Sequence, residues 1–195
     1  MSRTIFDTPV LNGIMPPLSR AILRIWGWRV AGEKPDIPRY VMIAAPHTSN
    51  WDFPLTLLVS FALELRIQAM GKDSLTKGPW GFFFRWLGVI PVDRSQSNNL
   101  VAQSIAKFKA RAELVLVVSP AGTRSKTRRW RTGFYHIANG ANIPIMMGFL
   151  DYGKNIGGIK GIFTPTGDVE KDMESIKAHY KGIKGKFPHK QAIAT

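Results

Sequence analysis

The chain alternates short, strand-like apolar runs with longer stretches of helical periodicity, and no other feature narrows its fold as far. Tyr40–Ala45 (YVMIAA), Arg66–Met70 (RIQAM), Val89–Val92, Leu114–Val118 (LVLVV), Ile143–Phe149 (IPIMMGF) and a last run near Ile159–Thr164 read as strands. Helical patterning falls at 17–28, 52–65, 79–87, 97–110, 132–140 and 170–182. The helix at 52–65 has Asn50 or Asp52 near its cap and Pro54 in its first turn; Ser95 or Ser97 caps the one at 97–110. Strands joined through helices build parallel sheets. The expectation is an α/β fold with a mostly parallel central sheet flanked by helices.

A chain of 195 residues, 45% of them apolar, is long enough for one domain with a sizeable core and too apolar for a disordered basic tail. It has no cysteine, which excludes disulfides, thiolate-bound metals and a thiol nucleophile. A formal net charge of +14 asks for an anionic partner: nucleic acid, a membrane surface or a phosphorylated small molecule. The N-terminus lacks a secretory signal, and no stretch reaches the ~18–20 uninterrupted apolar residues of a spanning helix. Residues 17–30 (PLSRAILRIWGWRV) set Arg20 and Arg24 on one stripe beside Leu18, Ile22, Ile25, Trp26 and Trp28, as an amphipathic helix at a membrane interface requires. An ordinary packed helix is the alternative. Trp80–Leu87 (WGFFFRWL) carries the same ambiguity. Residues 1–30 are therefore read as an interfacial arm and 31–195 as the single globular domain.

Of the four histidines, His47 follows a strand at its C-terminal end, in PHTSNWDF, where open α/β sheets gather their functional groups. Asp52 lies across a strand-to-helix turn, within reach of the imidazole. A carboxylate on a histidine fixes its tautomer and stabilises the imidazolium formed when it takes a proton. With no Gly-x-Ser-x-Gly elbow, the simplest use of the pair is to deprotonate a substrate hydroxyl. The plain alternative is a loop histidine with Asp52 as a helix cap. Two more strands end in arginine turns: Gly88–Arg94 (GVIPVDR) and Ser119–Ser125 (SPAGTRS). Arg94 and Arg124 suit a phosphate monoester, Gly122 lets backbone approach it and Thr123 adds a hydroxyl.

These blocks carry a resemblance. His47-Thr-Ser-Asn-Trp-Asp52 has the His-x4-Asp spacing of the PlsC-like glycerolipid acyltransferases, the 1-acylglycerol-3-phosphate acyltransferase superfamily. Residues 88–94 resemble its Gly-x-x-x-hydrophobic-Asp-Arg block, 120–125 (PAGTRS) its Pro-Glu-Gly-Thr-Arg-Ser block, and 143–145 (IPI) its apolar-Pro-apolar strand. The resemblance covers roughly 38–167.

It implies an acyltransferase in which His47 is the general base and Asp52 orients it. Arg94, Gly122, Thr123 and Arg124 would hold the acceptor's phosphate, and Pro144 would shape the acyl-donor side. The implied acceptor is a lysolipid, 1-acylglycerol 3-phosphate first. The implied donor is acyl-CoA or acyl-carrier protein, with no metal or prosthetic group, and the implied setting is peripheral, on the cytoplasmic face of an anionic membrane. Ala121 departs from the pattern, which has glutamate there; Ala121→Glu is expected to raise turnover. The basic run Arg124, Lys126, Arg128, Arg129, Arg131, with Trp130 inside it, extends the phosphate turn and reads as a headgroup or donor-phosphate contact rather than a nucleic-acid patch. His136, in a helix, and His179 and His189, in the Lys-rich tail, carry no role. Two alternatives stay open: an acyltransferase for another lysophospholipid or an amino lipid, and a basic membrane-binding module without activity.

Overall fold

A computed structural model describes residues 4–92, 97–127 and 129–192. In chain order the elements are α1 (Pro9–Ile25), β1 (Arg29–Ala31), β2 (Arg39–Ala45), α2 (Asp52–Ala62), β3 (Ile67–Lys72), α3 (Gly81–Trp86), β4 (Val89–Val92), α4 (Ser97–Lys109), β5 (Leu114–Val118), α5 (Gly133–Ala141), β6 (Ile145–Asp151), β7 (Ile156–Phe163) and α6 (Val169–Ala178). Among the described residues the strands form one seven-stranded sheet in the order β1-β7-β6-β2-β5-β3-β4. All neighbouring strands run parallel except β6 and β7. The α/β architecture expected from the alternation is the one observed.

The side-chain period of two divides each central strand between two cores. Val41, Ile43 and Ala45 of β2, with Leu114 and Leu116 of β5 and Ile145 and Met147 of β6, face Phe134, Tyr135 and Ile137 of α5 and Ile176 of α6. Tyr40, Met42, Val115, Val117 and Met146 face the other way, against Leu55, Val59 and Phe61 of α2 and Leu23 of α1. Burial on both faces is why these strands are apolar along most of their length, with Arg39 and Asp151 only at the ends.

Two elements differ from the sequence expectation. β1 was not anticipated; its three residues pair with Ile156–Gly158 of β7, a partner far along the chain. α1 begins at Pro9 and runs through Pro16 and Pro17, although each proline removes a helical N–H. Burial of Pro16, Ser19 and Leu23 carries the helix across them. It stops at Gly27 (φ 73), whose N–H bonds Arg24 O while Trp28 N–H bonds Leu23 O, the paired closure of a Schellman end. Arg20 does not point to solvent alone: its guanidinium bonds Ala62 O (3.0 Å) and Glu64 (3.0 Å), tying α1 to the end of α2. The far side of α1 remains exposed at Val10, Ile14, Leu18 and Ile25. Among the described residues no helix is long and apolar enough to cross a membrane.

Candidate active site

β2 ends at Ala45, and a cis Ala45–Pro46 bond leads into His47. Asp52 opens α2 and turns its carboxylate back onto the loop. Oδ2 accepts from Thr48 N–H (2.8 Å) and Ser49 N–H (2.9 Å) and lies 3.0 Å from His47 Nδ1. Oδ1 accepts from the Tyr152 hydroxyl at 2.7 Å. Asp52 is only 4% exposed, and burial acts to raise its carboxyl. Hydrogen bonds from His47, Ser49 N–H, Tyr152 and Thr48 N–H outweigh that and hold it below the usual carboxylate range. An ionised Asp52 requires the proton of His47 on Nδ1, so Nε2 is left for a substrate. Asp52 does not cap α2: it is the first helical residue, the N-cap is Trp51 with no side-chain cap bond, and the carboxylate serves the loop N–H groups and the imidazole instead.

His47 stands on the wall of a cavity of about 1350 Å³ above the C-terminal ends of the strands. Sites for one drug-sized ligand span ~300–1,000 Å³, so space at His47 does not limit a substrate of that size. The cavity's polar lining includes Asn50, Lys72, Ser119, Thr123, Arg124, Arg129 and Arg131, with the Gly122 backbone, and its apolar lining includes Phe53, Met70, Leu75, Phe84, Leu100 and Val101. Gly122 adopts the left-handed φ of +65, and a Cβ there would lie 3.2 Å from Arg131 Nε, so glycine lets that guanidinium lie against the turn. Among the described residues Arg124, Arg129 and Arg131 have no ion-pair partner. Ser119 Oγ is buried with no hydrogen-bond partner. Unpaired cations and an orphan hydroxyl beside a histidine make an anion-binding wall. Among the described residues no three acidic or histidine side chains gather as a metal site would need.

His47, Asp52, Gly122, Thr123 and Arg124 are thus brought together. Arg94 and Arg128 lie outside the described residues. Pro144 is not brought to the cavity. It precedes Ile145, which pairs with Val41 at the opposite end of β2 from His47, roughly 20 Å away at the rise of a strand. Ala121 faces a second, small cavity of about 10 Å³ closed by Trp130, Tyr180, Gln191 and Ala192. That is about the space of one water. A glutamate there meets the C-terminal segment, so the expected gain from Ala121→Glu does not follow from this geometry.

Three contributors escaped the sequence reading. Lys72 ends β3 and joins the cavity, by the same strand-end signal that marks His47 and Arg124. Tyr152 sits 100 residues from the aspartate it bonds. The C-terminal segment lies on the catalytic loop: Phe187 N–H donates to Thr48 Oγ1 (3.1 Å), and Lys186 Nζ stands 5.1 Å over the Trp51 ring.

A family model, Acyltransferase, matches residues 29–147, more than half of the chain. Among solved structures the chain is similar to the crystal structure of the 1-acyl-sn-glycerophosphate (LPA) acyltransferase PlsC from Thermotoga maritima. The TM-score is 0.62 at 16% identity, over 91% of this chain and 81% of that one. At that identity the likeness is one of fold. No curated protein matches the chain. The matched segment runs from β1 into β6 and takes in His47, Asp52 and the 120–125 turn: the chain belongs to the acyltransferase family.

Proposed function

We propose that this acyltransferase moves a fatty acyl group from acyl-CoA or acyl-carrier protein to the hydroxyl of a phosphate-bearing lysolipid, with 1-acylglycerol 3-phosphate the first candidate. The observation that carries the reading is the His47–Asp52 bond at a cavity lined both by unpaired guanidiniums and by apolar side chains. His47 Nε2 takes the acceptor's hydroxyl proton as its oxygen attacks the thioester carbonyl. Collapse of the tetrahedral intermediate breaks the C–S bond, and the imidazolium returns its proton to the departing thiolate. Asp52 stabilises the imidazolium between those steps. Such assistance contributes ~10²–10⁴ in rate, and holding both substrates adds a proximity term.

Arg124, with Gly122 and Thr123, binds the acceptor's phosphate, and Arg94 shares that role. Phe53, Leu75, Phe84 and Val101 take the acyl chain. Pro144, at the far end of β6, acts on the donor side only through the strand it precedes. This chemistry uses no bound metal or prosthetic group.

In the same reading the enzyme is peripheral on the cytoplasmic face of an anionic membrane, with residues 1–30 as the interfacial arm of a 31–195 catalytic domain. Exposed Ile25, Trp26 and Trp51 support it: Trp26 meets Trp51 edge-on at 6.5 Å beside the catalytic loop. Nucleic acid is not the partner in this reading, because Arg124, Arg129 and Arg131 of the basic run line the cavity that holds His47. Ala121 favours a second reading, in which the acceptor is another lysophospholipid or an amino lipid.

The test is a labelled acyl-transfer panel pairing acyl-CoA and acyl-carrier protein with several lysolipids. We expect transfer to the phosphate-bearing acceptor, a loss of at least about a hundredfold in His47→Ala, and kcat/KM for that acceptor about ten- to a hundredfold lower in Arg124→Ala, as loss of a charged hydrogen bond produces. Wild-type rate in His47→Ala refutes the base. Equal use of the phosphate acceptor by Arg124→Ala refutes the phosphate site.

A further inference from the structure

The Asp52 carboxylate is held unevenly. His47, Thr48 N–H and Ser49 N–H all meet Oδ2, whereas Oδ1 meets Tyr152. The terminal torsion of an aspartate is broad, so three contacts on one oxygen leave the plane of the carboxylate free to swing about it. A fourth contact, on the other oxygen, stops that motion. We propose that Tyr152 is a positioning residue of the dyad, fixing the Asp52 carboxylate so that it in turn aims His47. The inference rests on the general-base reading of His47.

Tyr152 is suited to the task because it is itself held from outside the site. It follows the last residue of β6, and its N–H donates to Lys184 O at 2.8 Å. Asp151 Oδ1 accepts from Gly153 N–H (2.9 Å) and Lys184 N–H (3.3 Å), which pins the backbone on both sides of it. Trp28 meets the ring edge-on, with centroids 5.0 Å apart and planes at 89°. Burial first, and then the bond to Asp52 and its charge, push the phenol far above its ordinary range, so the hydroxyl remains a donor at every working pH. Tyr152 is absent from the cavity wall, so it acts through Asp52 rather than on substrate. It also lies beyond residue 147, where the family match ends.

Tyr152→Phe removes the donor and keeps the ring; Trp28→Leu keeps the donor and frees the ring. Each is compared with wild type in the full chain by kcat and KM across pH 5–9 and by ¹⁵N NMR of the His47 ring without substrate. In Tyr152→Phe we expect kcat about tenfold lower with KM within about twofold, a fraction of the ~10²–10⁴ that a general base supplies in all. The pH profile of kcat changes with it, because the carboxylate that faces the imidazole has lost a donor. The ring signals show both tautomers in place of one. Trp28→Leu gives the same signature at smaller amplitude. A lowered Tm with unchanged pH profile and unchanged ring signals means a structural role only and overturns the proposal. If His47→Ala retains full transfer, the base reading fails by itself, while the ring signals still report whether Tyr152 governs the Asp52–His47 bond.

Discussion

His47 is aimed by groups that arrive from opposite ends of the chain, and its neighbour Ala121 shows how little slack remains around it. The small cavity beside both holds about one water, with Gln191 and Ala192 as its outer wall. Gln191 is tied down through its own amide: Oε1 accepts from Gly185 N–H (3.0 Å) and Nε2 donates to Ile183 O (2.9 Å). Ala121→Glu must expel that wall or crowd a carboxylate against His47 and Ser119. We expect it to lower stability by about 1–3 kcal/mol, the cost of overpacking, with no gain in turnover. Thermal melts beside the transfer assay check this; a raised turnover at unchanged Tm sinks it. His47, Asp52 and Arg124 were legible because each stands within a few residues of a strand's end, so local pattern carries them. Tyr152 was not, since a tyrosine after a strand looks the same whether its hydroxyl meets water or a carboxylate 100 residues away. Pro144 is the converse case: a motif residue beside a strand reads as near the strand-end groups, and the register places it at the end of β6 away from His47.

Among the elements, α1 is the one with two allegiances. Its inner side is committed to the domain through Leu23 and through Arg20, which bonds Ala62 O and Glu64. Its outer side leaves Ile25 81% and Trp26 50% exposed. An exposed ion pair such as Arg20–Glu64 is worth only about 0–1 kcal/mol, so packing, not charge, seats this helix. The sequence expectation of an amphipathic helix holds in kind. Its boundaries missed because tertiary burial overrides the proline pair at its middle and Gly27 ends it early. The paired substitution Ile25→Ser with Trp26→Ser therefore leaves Tm within about 2–4 °C, each surface change of this sort staying within ~0.5 kcal/mol. It weakens sedimentation with vesicles containing anionic lipid severalfold. Undiminished vesicle binding removes α1 from the lipid surface.

For the molecule as a whole, +14 is a surplus borne by a fold in which two buried carboxylates, Asp52 and Asp172, stay ionised. Burial acts to raise both Asp52 and Asp172, yet hydrogen bonds lower each: His47, Ser49, Tyr152 and Thr48 for the first, Thr166 and Tyr135 for the second. A carboxyl held below its unfolded value of 3.8 adds stability above that value and loses it as the pH falls through the folded one. Stability is expected to be level above about pH 5 and to decline steeply below about pH 4, with growing positive charge adding self-repulsion. Melting across pH 2–7 tests this; a Tm at pH 3 equal to that at pH 7 contradicts it. Removing one carboxyl by Asp172→Asn flattens the decline.

The contact of the C-terminal segment with Thr48 and Trp51 also sets an order in time. Translation delivers the histidine early and its surroundings late. A nascent chain that has reached residue 167 already carries all four sequence blocks and the whole sheet. It still lacks Tyr180, Lys186, Phe187 and Gln191, which close the loop and the Ala121 side. The histidine loop is finished only when the C-terminal segment arrives, so a chain broken off between those points would hold every motif without the contacts that close the loop.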